Sequence, residues 1–245
     1  MKKFQMSVLV SALSLLIGFN ANAQDANAIL KKADDVLYSA KDQSSKIKIV
    51  LIDKQDREKV REANILQKGS DTRLFRFTSP ASQAGIAFLS LPNDVMYIYM
   101  PAFGKERRIA SHVKNQSFAG TDFSYDDMEA KPFSEKYNPK FIKTEANYYI
   151  LELIPKSGIK TDNSKIIMKV NNSNYCPEIF EFYNKGNQKF KEATYSFKKV
   201  GNYWAPIEIV MKNLKKNHTT KMITSDIQYD IGLSDDEFTV RKLKQ

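Results

Sequence analysis

The chain has 245 residues, a formal charge of +10, two histidines and one cysteine. One cysteine excludes an intramolecular disulfide, and two histidines far apart, His112 and His218, do not make a zinc site. The length suits one β-rich domain.

Lys2 and Lys3 precede an apolar run from Met6 to Ile17, and Ala21-Asn22-Ala23 places small residues where a signal peptidase reads. This pattern predicts a secretory signal peptide, residues 1–23, cleaved after Ala23. The run is too short to span a bilayer as a stable helix. Residues 24–245 are then expected as a single soluble domain in the periplasm. The residue immediately after the cleavage site is Gln24 and not a cysteine, so no lipid anchor is expected at the mature N-terminus. Two of the ten charges leave with the signal peptide. An exported basic protein meets anionic phospholipid and lipopolysaccharide surfaces, and no nucleic-acid partner is expected.

Residues 26–40 predict a helix with Asp25 as its N-cap. Ala26, Ile29, Leu30, Ala33, Val36, Leu37 and Ala40 form an apolar stripe, with Lys31, Lys32, Asp34 and Asp35 on the other face. The period then switches to two. Strands are predicted at 46–52, 61–69, 73–80, 85–92, 95–101 and 105–109, joined by turns rich in Gly, Pro, Asn and Asp. Residues 110–139 interrupt the pattern. Strands resume at 148–155, 165–170, 178–184, 189–200, 203–214 and 220–230, and Ser234 is a candidate cap for a short turn carrying Phe238. These make eleven or twelve strands, mostly in hairpin order, and no period-locked repeat.

Each strand has one apolar face: Ile47, Ile49 and Leu51; Phe75 and Phe77; Tyr149, Leu151 and Leu153; Ile166, Met168 and Val170; Phe180 and Phe182; Ile207, Ile209 and Met211. That is the pattern of one curved antiparallel sheet covered on one side, with the front helix as filler for its concave face. An incomplete filler leaves an apolar cavity, which suits a lipid.

Little in the chain points to catalysis. There is no Gly-x-Ser-x-Gly elbow, Cys176 reads as a small packed residue, and nothing local supports His112 or His218 in a triad. No catalytic residue and no cofactor are expected. The stretch SFAGTDFSYDDM, Ser117 to Met128, spaces Asp122, Ser124 and Asp126 like the first ligands of a calcium loop. It then has Asp127 where that loop needs Gly and Phe133 where it needs Glu, so no metal site is expected. Ser124 fits better as the cap of a short helix, with Asp127 closing a variant capping box and Gly120 permitting the preceding turn. Phe118, Phe123 and Tyr125 then read as a lid over the cavity, lined by Phe75, Phe77, Tyr149, Leu151, Phe180 and Phe182. Lys105, Arg107, Arg108 and Lys114 stand nearby. They suit a lipid phosphate, with Arg107, Arg108 and Lys114 as head-group candidates, or they pair with Asp122, Asp126 and Asp127; both arrangements remain open.

RRIASHVKNQSFAGTDFSYDDM (Arg107–Met128), SPASQAGIAFL (Ser79–Leu89), YIYMPAFGKERRI (Tyr97–Ile109) and YWAP (Tyr203–Pro206) resemble the signature regions of outer membrane lipoprotein-sorting proteins, relatives of LolA. The resemblance extends over essentially the whole chain after the signal peptide. It implies a mainly β, LolA/LolB-like half-open antiparallel barrel of about eleven strands, with a few helices on its concave side. It implies a non-catalytic periplasmic carrier that shields acyl chains of a lipoprotein or lipid on the way to the outer membrane. The implied partners are those acyl chains and an inner-membrane RND-type or ATP-driven transporter. The alternative it leaves is a sensor or accessory module of an RND-type exporter.

Overall fold

The structure, a computed structural model, describes residues 25–245; the predicted signal peptide lies outside them. Helix α1, Ala26–Tyr38, starts where expected, with the Asp25 carboxylate accepting the backbone N–H of Asn27 at 2.9 Å. Strands β1 (Asp42–Ile52), β2 (Glu58–Lys68), β3 (Thr72–Ser79), β4 (Ala87–Leu91), β5 (Val95–Met100) and β6 (Lys105–Arg108) follow as a meander. Two one-turn helices, α2 (Tyr125–Met128) and α3 (Phe133–Lys136), occupy the interruption. The chain then runs through β7 (Tyr137–Glu145), β8 (Tyr148–Pro155), β9 (Asn163–Asn171), β10 (Pro177–Asn184), β11 (Lys189–Val200), β12 (Tyr203–Asn213) and β13 (His218–Tyr229).

The thirteen strands among the described residues form one antiparallel sheet in the order β6-β5-β4-β3-β2-β1-β13-β12-β11-β10-β9-β8-β7. Each hairpin pairs with its sequence neighbour. The one long-range junction joins β1 to β13, from Gln43 opposite Tyr229 to Ile52 opposite Thr219. The two ends of the sheet, β6 and β7, do not pair with each other, so the barrel stays open. Residues 109–136 link them.

The expected count of about eleven strands is corrected to thirteen. The strand missing from the sequence reading is β7, YNPKFIKTE. It lies at an open edge and is mostly exposed. It carries Pro139, and its register slips at Ile142, so its alternation is weak. Asp34 is also corrected. Although it falls on the polar face of α1 by sequence spacing, it is buried, and its carboxylate accepts the N–H groups of Phe133 and Ser134 at 2.8 and 2.9 Å. A residue on α1 thus supplies the cap that α3 lacks locally.

The principal core lies between the concave face and the helices. Ile29, Leu30 and Ala33 of α1 meet Ile47, Ile49, Phe180 and Met211 there. Ile207 drops out of the expected inward set. A bulge opposite Ser196–Phe197 shifts the register, and Pro206 takes the inward position. A second, smaller core lies on the other face of β3 and β4, where Leu74, Ala87 and Leu89 are covered by Phe238 and Leu243. Ser234 caps the turn carrying Phe238, as its sequence suggests. The sheet is therefore covered on both faces at β4, which explains why AFLSL is a continuous buried run. No described helix is long and apolar enough to cross a membrane.

Candidate functional site

The Ser117–Met128 stretch is fastened at several points. Ala119 and Gly120 both have positive φ, 48° and 76°, and the chain turns inward there. Arg61 of β2 donates to the Ala119 carbonyl at 2.5 Å. Asp122 accepts from Thr220 Oγ1 at 2.7 Å, and its Oδ2 lies 2.5 Å from His218 Nδ1, which ties the loop to β13. The threonine hydroxyl and the imidazole thus share one carboxylate. That is an anchor, and it sets up no proton relay from hydroxyl to imidazole. The expected capping box is present: Ser124 Oγ accepts the Asp127 N–H at 3.1 Å, and Asp127 Oδ2 accepts the Ser124 N–H at 2.7 Å. Asp127 also pairs with Lys191 of β11 at 2.9 Å.

Beside this strap lies a cavity of about 180 Å³ between the helices and the concave face. Its apolar wall includes Leu37, Ile65, Phe180, Phe182, Met211 and Met222. Phe123 and Met128 close it from the strap, and Phe133 stacks on Phe180 with ring centres 5.4 Å apart. Arg73, Tyr195, Lys136 and Asp127 contribute polar groups to the lining. Burial pushes the Tyr195 phenol well above its usual pKa, with the Asp127 charge adding to the effect.

The candidates divide into three groups. Phe123, Phe180 and Phe182 line the cavity. Phe75, Phe77, Phe118 and Tyr125 do not. With Phe88 they form an aromatic cluster whose ring centres lie 5.0 to 6.1 Å apart, and Phe118 is fully buried within it. The lid is therefore corrected. Only Phe123 reaches the cavity; Phe118 fills the adjoining core, and Tyr125, half-buried, packs against it. Leu151 is packed in the core, and Tyr149 packs against Tyr175.

The head-group trio is not assembled. Arg107 is exposed on β6 and covers the ring of Phe103 at 5.2 Å, and Arg108 is exposed on the same edge. Lys114 is buried 3.4 Å from Glu129 and 3.8 Å from Asp94. The acids of the strap also choose partners other than those expected: Lys136 for Asp126 at 2.7 Å, and Lys191 for Asp127. Burial raises the Glu129 carboxyl, which Lys136 and Lys114 only partly offset. Burial alone would lower the Lys136 ammonium, but Asp126, Tyr137 and Glu129 outweigh it and hold the charge on. Sequence reading missed Arg73, Lys136 and Tyr195 as cavity residues. Met211, by contrast, is visible as an inward position on its strand.

A family model described as "-like: Uncharacterized protein" matches residues 69–245. No curated protein matches. Solved structures do. An outer membrane lipoprotein-sorting protein domain from Vibrio parahaemolyticus is 26% identical, with 90% of this chain and 100% of that one covered and a TM-score of 0.81. A LolA superfamily protein from Nitrosomonas europaea is 25% identical, covering 89% and 98%, with a TM-score of 0.76. A DUF1329 family protein from Desulfovibrio piger shares the fold at 24% identity and a TM-score of 0.82, covering 89% and 98%. The chain therefore belongs to the family whose model matches residues 69–245, and its structural neighbours are LolA-superfamily and outer membrane lipoprotein-sorting proteins, whose fold it shares.

Proposed function

We propose that the protein is a soluble, non-catalytic periplasmic carrier that shields the acyl chains of a lipid or lipoprotein between the concave face and the helices. The observation that carries this reading is the cavity: an apolar wall that the helices and the strap leave unfilled, inside a fold shared with lipoprotein-sorting domains. A dry cavity of ~150 Å³ lined by apolar side chains takes up a small hydrocarbon. At about 180 Å³ the space here holds part of an acyl chain. A longer chain is accommodated by movement of Met128, Met211 and Met222, whose flexible side chains adapt to irregular ligands.

The test is native mass spectrometry of the mature protein after incubation with a monoacylglycerol, for the wild type and for Met211→Trp. The expected result is a bound lipid on the wild type and roughly tenfold weaker binding by the variant, with the same circular dichroism spectrum. Equal binding by the two proteins removes the cavity from the mechanism.

A further inference from the structure

A second pocket, of about 250 Å³, adjoins the apolar cavity, and Asp126, Glu129, Lys131 and Lys136 line both. Most of the residues lining the second pocket are charged. Four lysines from separate stretches reach it: Lys114 before the strap, Lys131 after α2, Lys136 at the end of α3, and Lys160 in the β8–β9 connection. Three carboxylates accompany them: Asp94, Asp126 and Glu129. Lys136 bonds Asp126 at 2.7 Å, Lys131 bonds Asp94 at 2.5 Å, and Lys114 lies 3.4 Å from Glu129. Lys160 is exposed and has no carboxylate in reach among the described residues. The pocket therefore holds one ammonium more than its carboxylates balance. Lys114, Glu129 and Lys136 are all less than a tenth exposed. Buried charges of this kind cost stability that apolar residues of the same volume would not.

An apolar cavity that shares a wall with a cationic pocket has the polarity of an amphiphile. We propose that the second pocket is an anion site, holding the phosphate or carboxylate head group of a ligand whose acyl chain lies in the apolar cavity. The proposal rests on the acyl-chain reading of that cavity. Lys160 is free to meet the anion. Lys131 can turn to it because its partner Asp94 is half exposed and stays solvated. Lys114 and Lys136 keep their internal pairs and supply positive potential from beneath. Charge-assisted bonds to a phosphate or carboxylate are the strong class of hydrogen bond, and two of them in a partly buried site give a tenfold or larger preference for the charged head group.

The test compares three probes on the mature protein by isothermal titration calorimetry: a lysophosphatidylglycerol, a monoacylglycerol of the same chain, and inorganic phosphate. The wild type is expected to bind the anionic lipid about tenfold more tightly than the neutral one. The variant Lys160→Gln, whose residue lines the second pocket and not the apolar cavity, is expected to lose most of that preference and to bind the neutral lipid as the wild type does. Millimolar phosphate should compete with the anionic lipid and leave the neutral lipid in place. Equal affinity of the wild type for the two lipids overturns the anion site while leaving the acyl-chain reading intact. Binding of neither lipid overturns both. Phosphate that binds without weakening the anionic lipid locates the anion elsewhere and also overturns the proposal.

Discussion

Lys191 is a residue whose importance a sequence does not announce, since it is one of many lysines. It reaches from β11 to Asp127 at 2.9 Å and to the Asp122 carbonyl at 3.3 Å, nearly out of solvent, and holds the strap to the sheet. Burial by itself would raise the Asp127 carboxyl. The Lys191 charge and the Ser124 hydrogen bonds outweigh it, so the group stays ionised below its usual pKa. A carboxyl depressed in the folded state stabilises above about pH 4, its unfolded value, and that stability is lost as pH falls through the folded value. Lys191→Met is therefore expected to cost about 3 kcal/mol at pH 7, since it leaves Asp127 buried without its cation. The loss of stability on acidification below about pH 4 should become shallower in the variant. Urea midpoints at neutral and acid pH check both, and equal acid slopes in the two proteins would contradict the assignment. Cys176 gives a second residue-scale prediction. It is fully buried, and burial pushes its thiol up to about 12, so Ellman's reagent should leave it unmodified in the native protein and modify it fully in denaturant.

Among the elements, the C-terminal turns do more than end the chain. Phe238 and Leu243 seal the outer face of β3 and β4, and Arg76 donates to the carbonyls of Lys242 and Leu243 to hold them there. Leu243 is completely buried, and Leu243→Ala should destabilise the protein by about 3 kcal/mol in chemical denaturation. The element is attached at its start by Asp42 of β1, whose carboxylate accepts the N–H groups of Ile231, Gly232 and Leu233 at 2.8 to 3.0 Å. Asp42→Ala strands three donors and should cost about 2 kcal/mol or more by the same measurement. Legibility differs among the elements for physical reasons. Strands with one wet and one dry face, such as β9 and β10, declare themselves by alternation. The edge strand β7 does not, because most of its residues face water. Helix α2 is legible through its Ser124–Asp127 box. Helix α3 is not, because the acceptor for its first N–H groups is Asp34, about a hundred residues away.

For the whole molecule, the decisive feature is a thirteen-stranded sheet that does not close. Its free edges, β6 and β7, are bridged by the strap and α3, and those segments also bound the cavity. On the proposed carrier reading, a ligand enters as the helices and strap shift against the sheet. Hydrogen exchange should slow within residues 123–137 when a monoacylglycerol binds and change little in β1, β2 and β13. Uniform protection throughout would instead point to global stabilisation without a local site. The sequence by itself determined the antiparallel hairpin order, the inward faces of most strands, the capping box and the family resemblance. Each of these is encoded within a few residues by periodicity, turn chemistry or a local motif. The tertiary structure alone decided which aromatic rings line the cavity and which fill the core beside it. It also decided which lysine answers which carboxylate, and that Lys160 of the β8–β9 connection meets Lys114, Lys131 and Lys136 of the crossing segment in one pocket. Such pairings depend on where the β1–β13 junction and the crossing of residues 109–136 bring remote side chains together, and local pattern carries no record of that distance.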